Sequence, residues 1–151
     1  GLAGGIQPFL KPGDVFVVTT AVRDEGTSCH YFPADVELEC SDTMRRKIEG
    51  YFSKRRIKYH KGPVWTTDAP YRETREKFHR FKKKGVLGVN METSALLAVA
   101  RYRKVQFSSI QVVSDVLSDH GWLIAFGSRQ VQESMKQAMK TALEVLTSSS
   151  T

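Results

Sequence analysis

Two acids stand out by type and setting. Glu92 ends the run Gly88-Val89-Asn90-Met91-Glu92, a short apolar strand that passes through Thr93 into small apolar residues over 94–100. This predicts a strand feeding a helix, with a carboxylate at the strand's C-terminal end, the edge where open α/β sheets bind ligands. Burying it beside an apolar helix requires polar partners. A helix-start acid favoured by the macrodipole is the plainer reading of Glu92 alone. Asp115 follows Val112-Val113-Ser114 at the end of a second predicted strand and is expected to point into a cleft. A general acid needs a raised pKa, which partial burial supplies. Asp119 and His120 compete with it on the following loop, and an Asp that caps a turn is the alternative.

The elements that must hold these acids alternate. Residues 14–20 form a β-branched run behind Pro12-Gly13, and residues 22–33 read as a long polar loop. Ser41-Asp42-Thr43 opens a helix to about residue 55, with Met44, Ile48, Tyr51 and Phe52 on one face. Residues 57–67 read as a strand. Pro70 opens a helix carrying Tyr71, Phe78 and Phe81 at helical spacing. Further strands are expected over 86–91 and 105–113, and helices over 93–103 and 128–146. Residues 148–151 read as a frayed tail. Alternating β and α predicts a sheet flanked by helices.

The chain has 151 residues, one domain by length, with 40% hydrophobic and 26% charged residues. No apolar run reaches membrane-spanning length, and no signal-peptide pattern opens the chain. Cys29 and Cys40 lack metal-ligand spacing and suggest no disulfide framework, so a reducing cytoplasm is the expected setting. The net charge is +7. Much of it lies in two helix-like runs, Arg45 to Arg56 and Arg72 to Lys84. Basic clusters attract anions, but no nucleic-acid-binding signature accompanies them. Lys82 to Lys84 before Gly85 read as a cationic last turn ahead of a glycine stop. A solvated basic face is expected, with no nucleic acid, membrane or metal as partner.

The segment G-V-L-G-V-N-M-E-T-S-A-L-L from Gly85 resembles the nucleoside phosphorylases, the purine and uridine phosphorylase family, which carries V-x-M-E ahead of a small-residue helix. Gly1-Leu2-Ala3-Gly4-Gly5-Ile6-Gln7-Pro8 with Lys11-Pro12-Gly13-Asp14-Val15 resembles the family's Gly-rich turn and following strand. Ala21-Val22-Arg23-Asp24-Glu25-Gly26-Thr27-Ser28-Cys29-His30-Tyr31 is similar to the uridine branch, and Val113-Ser114-Asp115 to the purine branch. The motifs are collinear and span nearly the whole chain. The resemblance implies a three-layer α/β/α sandwich with a mixed central sheet. The chain corresponds to the C-terminal portion of the family fold. Relatives carry an earlier segment with an arginine that grips phosphate, whereas Gly1 already lies in the Gly-rich turn.

Phosphorolysis of a nucleoside must hold a sugar that develops positive charge, neutralise a departing base, and position phosphate on the opposite face. The resemblance gives Glu92 the first task, because its two oxygens can accept from neighbouring ribose hydroxyls. Met91 packs beside the sugar, and Asn90 replaces an additional Glu of many relatives. It gives Asp115 the second task, assisted by Arg129. Tyr71 falls where the family stacks the base, though a first core residue of its helix fits equally, and Arg72 is the remnant of pyrimidine reading. For the third task the backbone at Gly1, Gly4 and Gly5 can approach phosphate, while Leu2 replaces a hydroxyl residue. Arg23 and His30 could serve the site or a neighbouring subunit, His30 reading first as structural. The expected activity is a pentosyltransferase reaction, nucleoside plus phosphate giving base plus ribose 1-phosphate, with phosphate as co-substrate and no other cofactor. The base is left open between purine and uracil. A hydrolytic nucleosidase and an inactive nucleoside-binding remnant are the alternatives. A homo-oligomer, a dimer-based trimer or hexamer, is implied as well.

Overall fold

A computed structural model describes residues 1–148. Of the expected tail, Ser149 to Thr151 lie outside the described residues. Seven strands occur in this span: β1 (Leu2–Gly5), β2 (Val15–Asp24), β3 (Leu38–Glu39), β4 (His60–Thr67), β5 (Gly88–Asn90), β6 (Ile110–Ser118) and β7 (Gly121–Ile124). Four α-helices alternate with them: α1 (Asp42–Lys54), α2 (Arg75–Lys83), α3 (Thr93–Tyr102) and α4 (Arg129–Thr147). The fold is mixed α/β with a mixed sheet.

The sheet order is β3-β2-β4-β5-β1-β6-β7, and β2 also pairs with β6. That extra pairing closes β2, β4, β5, β1 and β6 into a barrel-like ring, where the sequence reading expected a sandwich around an open sheet. Closure follows from the length of β2. Val15, Phe16 and Val17 pair antiparallel with β6, while the strand runs parallel to β4 from Phe16 to Asp24. The register shifts between Val18 and Ala21; such an irregularity bends a strand and raises its twist. Where β6 diverges, β3 takes over the free edge at Thr20 and Ala21.

Side chains on β2 alternate with the period of a strand. Phe16 and Val18 join a core with Ala3, Val64, Leu87 and Val113. Val15 and Val17 turn the other way, onto Ile48 and Phe52 of α1 and Val131, Ala138 and Val145 of α4. A third cluster packs Phe78 and Phe81 of α2 on Trp65 and Val89.

Three expected helix starts are caps in the structure or lie close to one. The hydroxyls of Ser41 and Ser128 accept from the amides of Met44 and Val131, both at 3.4 Å. The helix expected from Pro70 is two pieces. Pro70–Arg72 is a 3₁₀ turn, and α2 begins after Thr74, whose hydroxyl accepts from Lys77 N at 3.3 Å. The glycine stop is present, with Gly85 at φ +76 after a last turn of Arg80, Lys82 and Lys83. Of the run expected as a turn, Leu2–Gly5 is strand β1, paired to β5 and β6. The strand expected to stop at Val113 continues to Ser118, and β7 was not foreseen. Among the described residues no helix is long and apolar enough to cross a membrane.

Candidate active site

β1, β5 and β6 lie side by side, and a cleft of about 560 Å³ opens along them. Its lining includes Gly4, Glu73, Asn90, Met91, Glu92 and Asp115, with Tyr71, Trp122 and Phe126 at its aromatic side. Glu92 and Asp115, separated by more than twenty positions in the chain, therefore share one cavity.

Glu92 occupies the residue before α3 but does not cap it. That work falls to others. Asn90 Oδ1 accepts from Thr93 N at 3.4 Å, and Thr66 Oγ1 accepts from Ser94 N at 3.1 Å. Thr66 Oγ1 also donates to Asn90 Oδ1 at 2.9 Å, and Asn90 Nδ2 donates to Thr93 Oγ1 at 2.5 Å. The helix-start amides are thus met by neutral groups, which leaves the exposed Glu92 carboxylate free to face the cleft. Its one close donor is Met91 N, at 3.3 Å. Asn90 lines the cleft with its amide engaged in the turn. Met91 is half exposed beside Glu92, outside the core.

Asp115 is buried, and its position in β6 explains its direction. The register of β1 on β6 shifts between Ala3 and Gly4, pairing Ala3 with Val113 and Gly4 with Asp115. Ser114 is the extra residue, and such bulges re-aim the neighbouring side chain. Asp115 is therefore a mid-strand acid at a bulge, where the sequence reading put it at the strand's end. Its Oδ1 accepts from Ser114 Oγ and its Oδ2 from Trp122 Nε1, both at 2.6 Å. Gly4 makes room for it: a Cβ there would sit 2.9 Å from Asp115 Oδ2 and 2.8 Å from Leu117 Cδ1. Of the expected phosphate glycines, only Gly4 lies in this cleft. Gly1 lines a separate groove, and its amino group donates to Ile110 O at 2.7 Å.

Arg129, expected beside Asp115, stands on the first turn of α4, exposed and paired with Glu133 at 3.4 Å, and is absent from the cleft lining. The turn over 125–128 between β7 and α4, closed by Ser128 N on Ala125 O at 2.9 Å, carries it away. Arg72 is likewise exposed and outside the lining. Tyr71 stands fully exposed at the rim, with no core role. Arg23 is latched to its own loop, donating to Ser28 Oγ at 2.9 Å and to the carbonyls of Phe32 at 2.7 Å and Val36 at 2.9 Å. Asp119 pairs with His79 at 3.2 Å and Lys82 at 3.4 Å, in a smaller recess that His120 also lines.

Sequence reasoning missed Glu73, Trp122 and Phe126. Burial first, and then the charge of Asp115, push the Glu73 carboxyl up from 4.5 to about 7. Trp122 lies on the unforeseen β7, and no local pattern marked it. A second acid, Glu25, behaves oppositely. Burial raises its pKa, but hydrogen bonds from the Ser94 hydroxyl at 2.7 Å and Ser28 N at 2.9 Å outweigh that and lower it. It ties the end of β2 to the start of α3.

Residues 1–149 match the family model of the phosphorylase superfamily, and the chain belongs to that superfamily. It is 28% identical over 149 residues to the DeoD-type purine nucleoside phosphorylase of Buchnera aphidicola subsp. Acyrthosiphon pisum, covering 95% of this chain and 61% of the relative. The crystal structure of uridine phosphorylase from Vibrio fischeri ES114 superposes with a TM-score of 0.83 at 29% identity, over 97% of this chain and 61% of that one. A P. knowlesi homologue of the P. falciparum PNP shares the fold, with a TM-score of 0.80 at 22% identity over 96% of this chain and 58% of that one. The chain thus spans about three-fifths of the length of these proteins.

Proposed function

We propose that the cleft binds a nucleoside and that the chain carries the base- and sugar-handling part of a phosphorolytic pentosyltransferase. The observation that carries this reading is the meeting of Glu92 and Asp115 in one cleft with an aromatic side. Glu92 offers two acceptor oxygens to the ribose hydroxyls, with Met91 against the sugar. Tyr71, Trp122 and Phe126 supply flat faces for the base, and Asp115 with Glu73 forms the acidic end that meets it. The relatives' printed names, purine nucleoside phosphorylase and uridine phosphorylase, support the reaction class and leave the base open between purine and uracil. The expected homo-oligomer and cytoplasmic setting belong to the same reading.

A second reading has an observation behind it. Among the described residues the cleft lining holds no Lys, Arg or His, and Leu2 stands in it. Three carboxylates with no Lys, Arg or His in the lining repel phosphate. Either cations from outside this cleft hold the phosphate, or water takes its place and the reaction is hydrolysis.

Inosine, adenosine and uridine, each incubated with the protein with and without phosphate while free base is followed, separate the readings. Base release that requires phosphate is the expected result. Release without phosphate establishes the hydrolase. No release, with nucleoside still bound, leaves a binding remnant.

A further inference from the structure

We propose that Trp122 is the positioning residue of the acid. Its indole N–H holds Asp115 Oδ2 as an acceptor, which puts the proton meant for the departing base on Oδ1. The inference rests on the cleft being a nucleoside site in which Asp115 protonates the base.

The register of the β6–β7 hairpin brings the two residues together. Trp122 lies opposite Leu117, and Ile124 opposite Asp115. Asp115 and Leu117 are two positions apart on one strand, so their side chains share a face, and Trp122 joins them on it. Its ring reaches Asp115 along the diagonal, a span within the range of an aromatic side chain. Trp122 Nε1 donates to Asp115 Oδ2 at 2.6 Å. Two contacts steady the hairpin. At its turn Asp119 pairs with His79 and Lys82 of α2. Beyond β7, the Phe126 ring stands edge-on to the indole, with centroids 6.4 Å apart.

The two oxygens of Asp115 have different kinds of partner. An indole nitrogen only donates. The carbonyl oxygen of a carboxylic acid is a better acceptor than its hydroxyl oxygen, so Oδ2 keeps the carbonyl role opposite Trp122. Ser114 Oγ lies 2.6 Å from Oδ1 and 3.4 Å from Ala3 O. A hydroxyl both donates and accepts. It donates to Oδ1 of the carboxylate, and it can turn its hydrogen to Ala3 O when Oδ1 is protonated. Oδ1 is therefore the oxygen that gains and loses the proton.

The sequence reading gave the place beside Asp115 to Arg129, which pairs with Glu133 on α4 instead. The exchange of partner matters chemically. A guanidinium would bring a full positive charge that favours the carboxylate. The indole orients the group without that charge.

In the step itself, the bond between the anomeric carbon and the base nitrogen breaks and its electron pair passes to the base. The Oδ1 proton moves onto the base, and a phosphate oxygen bonds to the anomeric carbon. Asp115 is left as a carboxylate and regains its proton from solvent after the base departs.

The test measures kcat and KM, with phosphate, for the wild-type chain and Trp122→Phe on inosine and on N7-methylinosine. The methylated base is already cationic and leaves neutral, so it needs no proton. Phenylalanine keeps an aromatic face and has no N–H. Trp122→Phe is expected to lose roughly 10-fold or more in kcat on inosine, the worth of a hydrogen bond to a charged group, with KM within about threefold. It should cleave N7-methylinosine within about threefold of wild type, which also shows that the site is folded. In an Asp115→Asn background the same exchange should cost nothing further on inosine. A Trp122→Phe variant that matches wild type on inosine, that loses both substrates alike, or whose loss adds to that of Asp115→Asn overturns the assignment and leaves the phosphorylase reading in place. A wild type that releases base from neither substrate overturns that reading and the positioning role together.

Discussion

The molecule carries two cavities of similar size, the cleft of about 560 Å³ and a groove of about 600 Å³ between α1, α4 and the start of β6. Leu2 and Glu92 line both. In the cleft, polar groups converge in a connected set: Ser114 and Trp122 on Asp115, Asp115 against Glu73, and a free Glu92 carboxylate. The groove is walled largely by side chains such as Met44, Ile48, Leu96, Met135 and Met139. Its buried polar groups are neutral: Gln111 Nε2 donates to Ser109 Oγ at 2.6 Å and Thr93 Oγ1 at 3.3 Å, while Ser108 Oγ and Gln111 Oε1 have no partner among the described residues. Similar volume thus hides a difference in charge, with three acids in the cleft and Glu92 alone in the groove. A binding site is told by polar groups placed on a mostly apolar wall, and only the cleft has acids whose partners aim them.

The contrast breaks most visibly at Asp115. Asp115→Asn is expected to cut purine release by roughly 10²-fold, with a smaller loss on uridine. Met139→Ala, in the groove alone, leaves release within about twofold. Steady-state assays of the two variants decide it, and equal losses on purine and uridine would refute a base-directed role for Asp115. Glu92, shared by both cavities, tells which of them uses it. Glu92→Ala should weaken nucleoside binding by about 10-fold or more, the worth of charge-assisted hydrogen bonds, as read by calorimetry; unchanged affinity places the sugar elsewhere.

Gly4 sharpens the comparison on packing. Its added methyl in Gly4→Ala would meet Asp115 Oδ2 at 2.9 Å and Leu117 Cδ1 at 2.8 Å. Thermal unfolding should show a loss of about 1–3 kcal/mol, with a fall in purine release from the displaced acid. Gly1→Ala, where the nearest atom is the flexible Gln111 amide at 3.1 Å, costs less. The smallest effect is in the groove. Ser108→Ala removes a buried hydroxyl without a partner, so denaturant unfolding should show no loss, and a gain of up to about 1 kcal/mol. A marked loss would mean that something does satisfy that hydroxyl.

Local signals were readable where the physics is local. Ser41, Gly85 and Ser128 marked helix ends because caps and left-handed stops act within a few residues. The strand-to-helix passage at Glu92 was legible for the same reason. Asp115 was found as a candidate but given the wrong setting, since a bulge depends on which strand lies alongside. Arg129 was drawn to Asp115 by spacing and resemblance, although α4 carries it to an exposed turn. Trp122 and Glu73 were missed because neither lies in a motif. Their meaning comes from a carboxylate elsewhere in the chain.

By itself the sequence determined the alternation of strands and helices, most helix ends, the family and the two acids. The elements and their ends follow from propensity, capping and apolar periodicity, which act over short stretches of chain, whereas the family comes from the resemblance of its collinear motifs. Only the tertiary structure decided that the sheet closes through β2 and β6, that Asn90 and Thr66 cap α3 in place of Glu92, and that Glu73 shares a cleft with Asp115. Each of these depends on which distant segments pair. Burial and the field of a neighbouring charge, which push the Glu73 carboxyl up, exist only once the chain has folded around it.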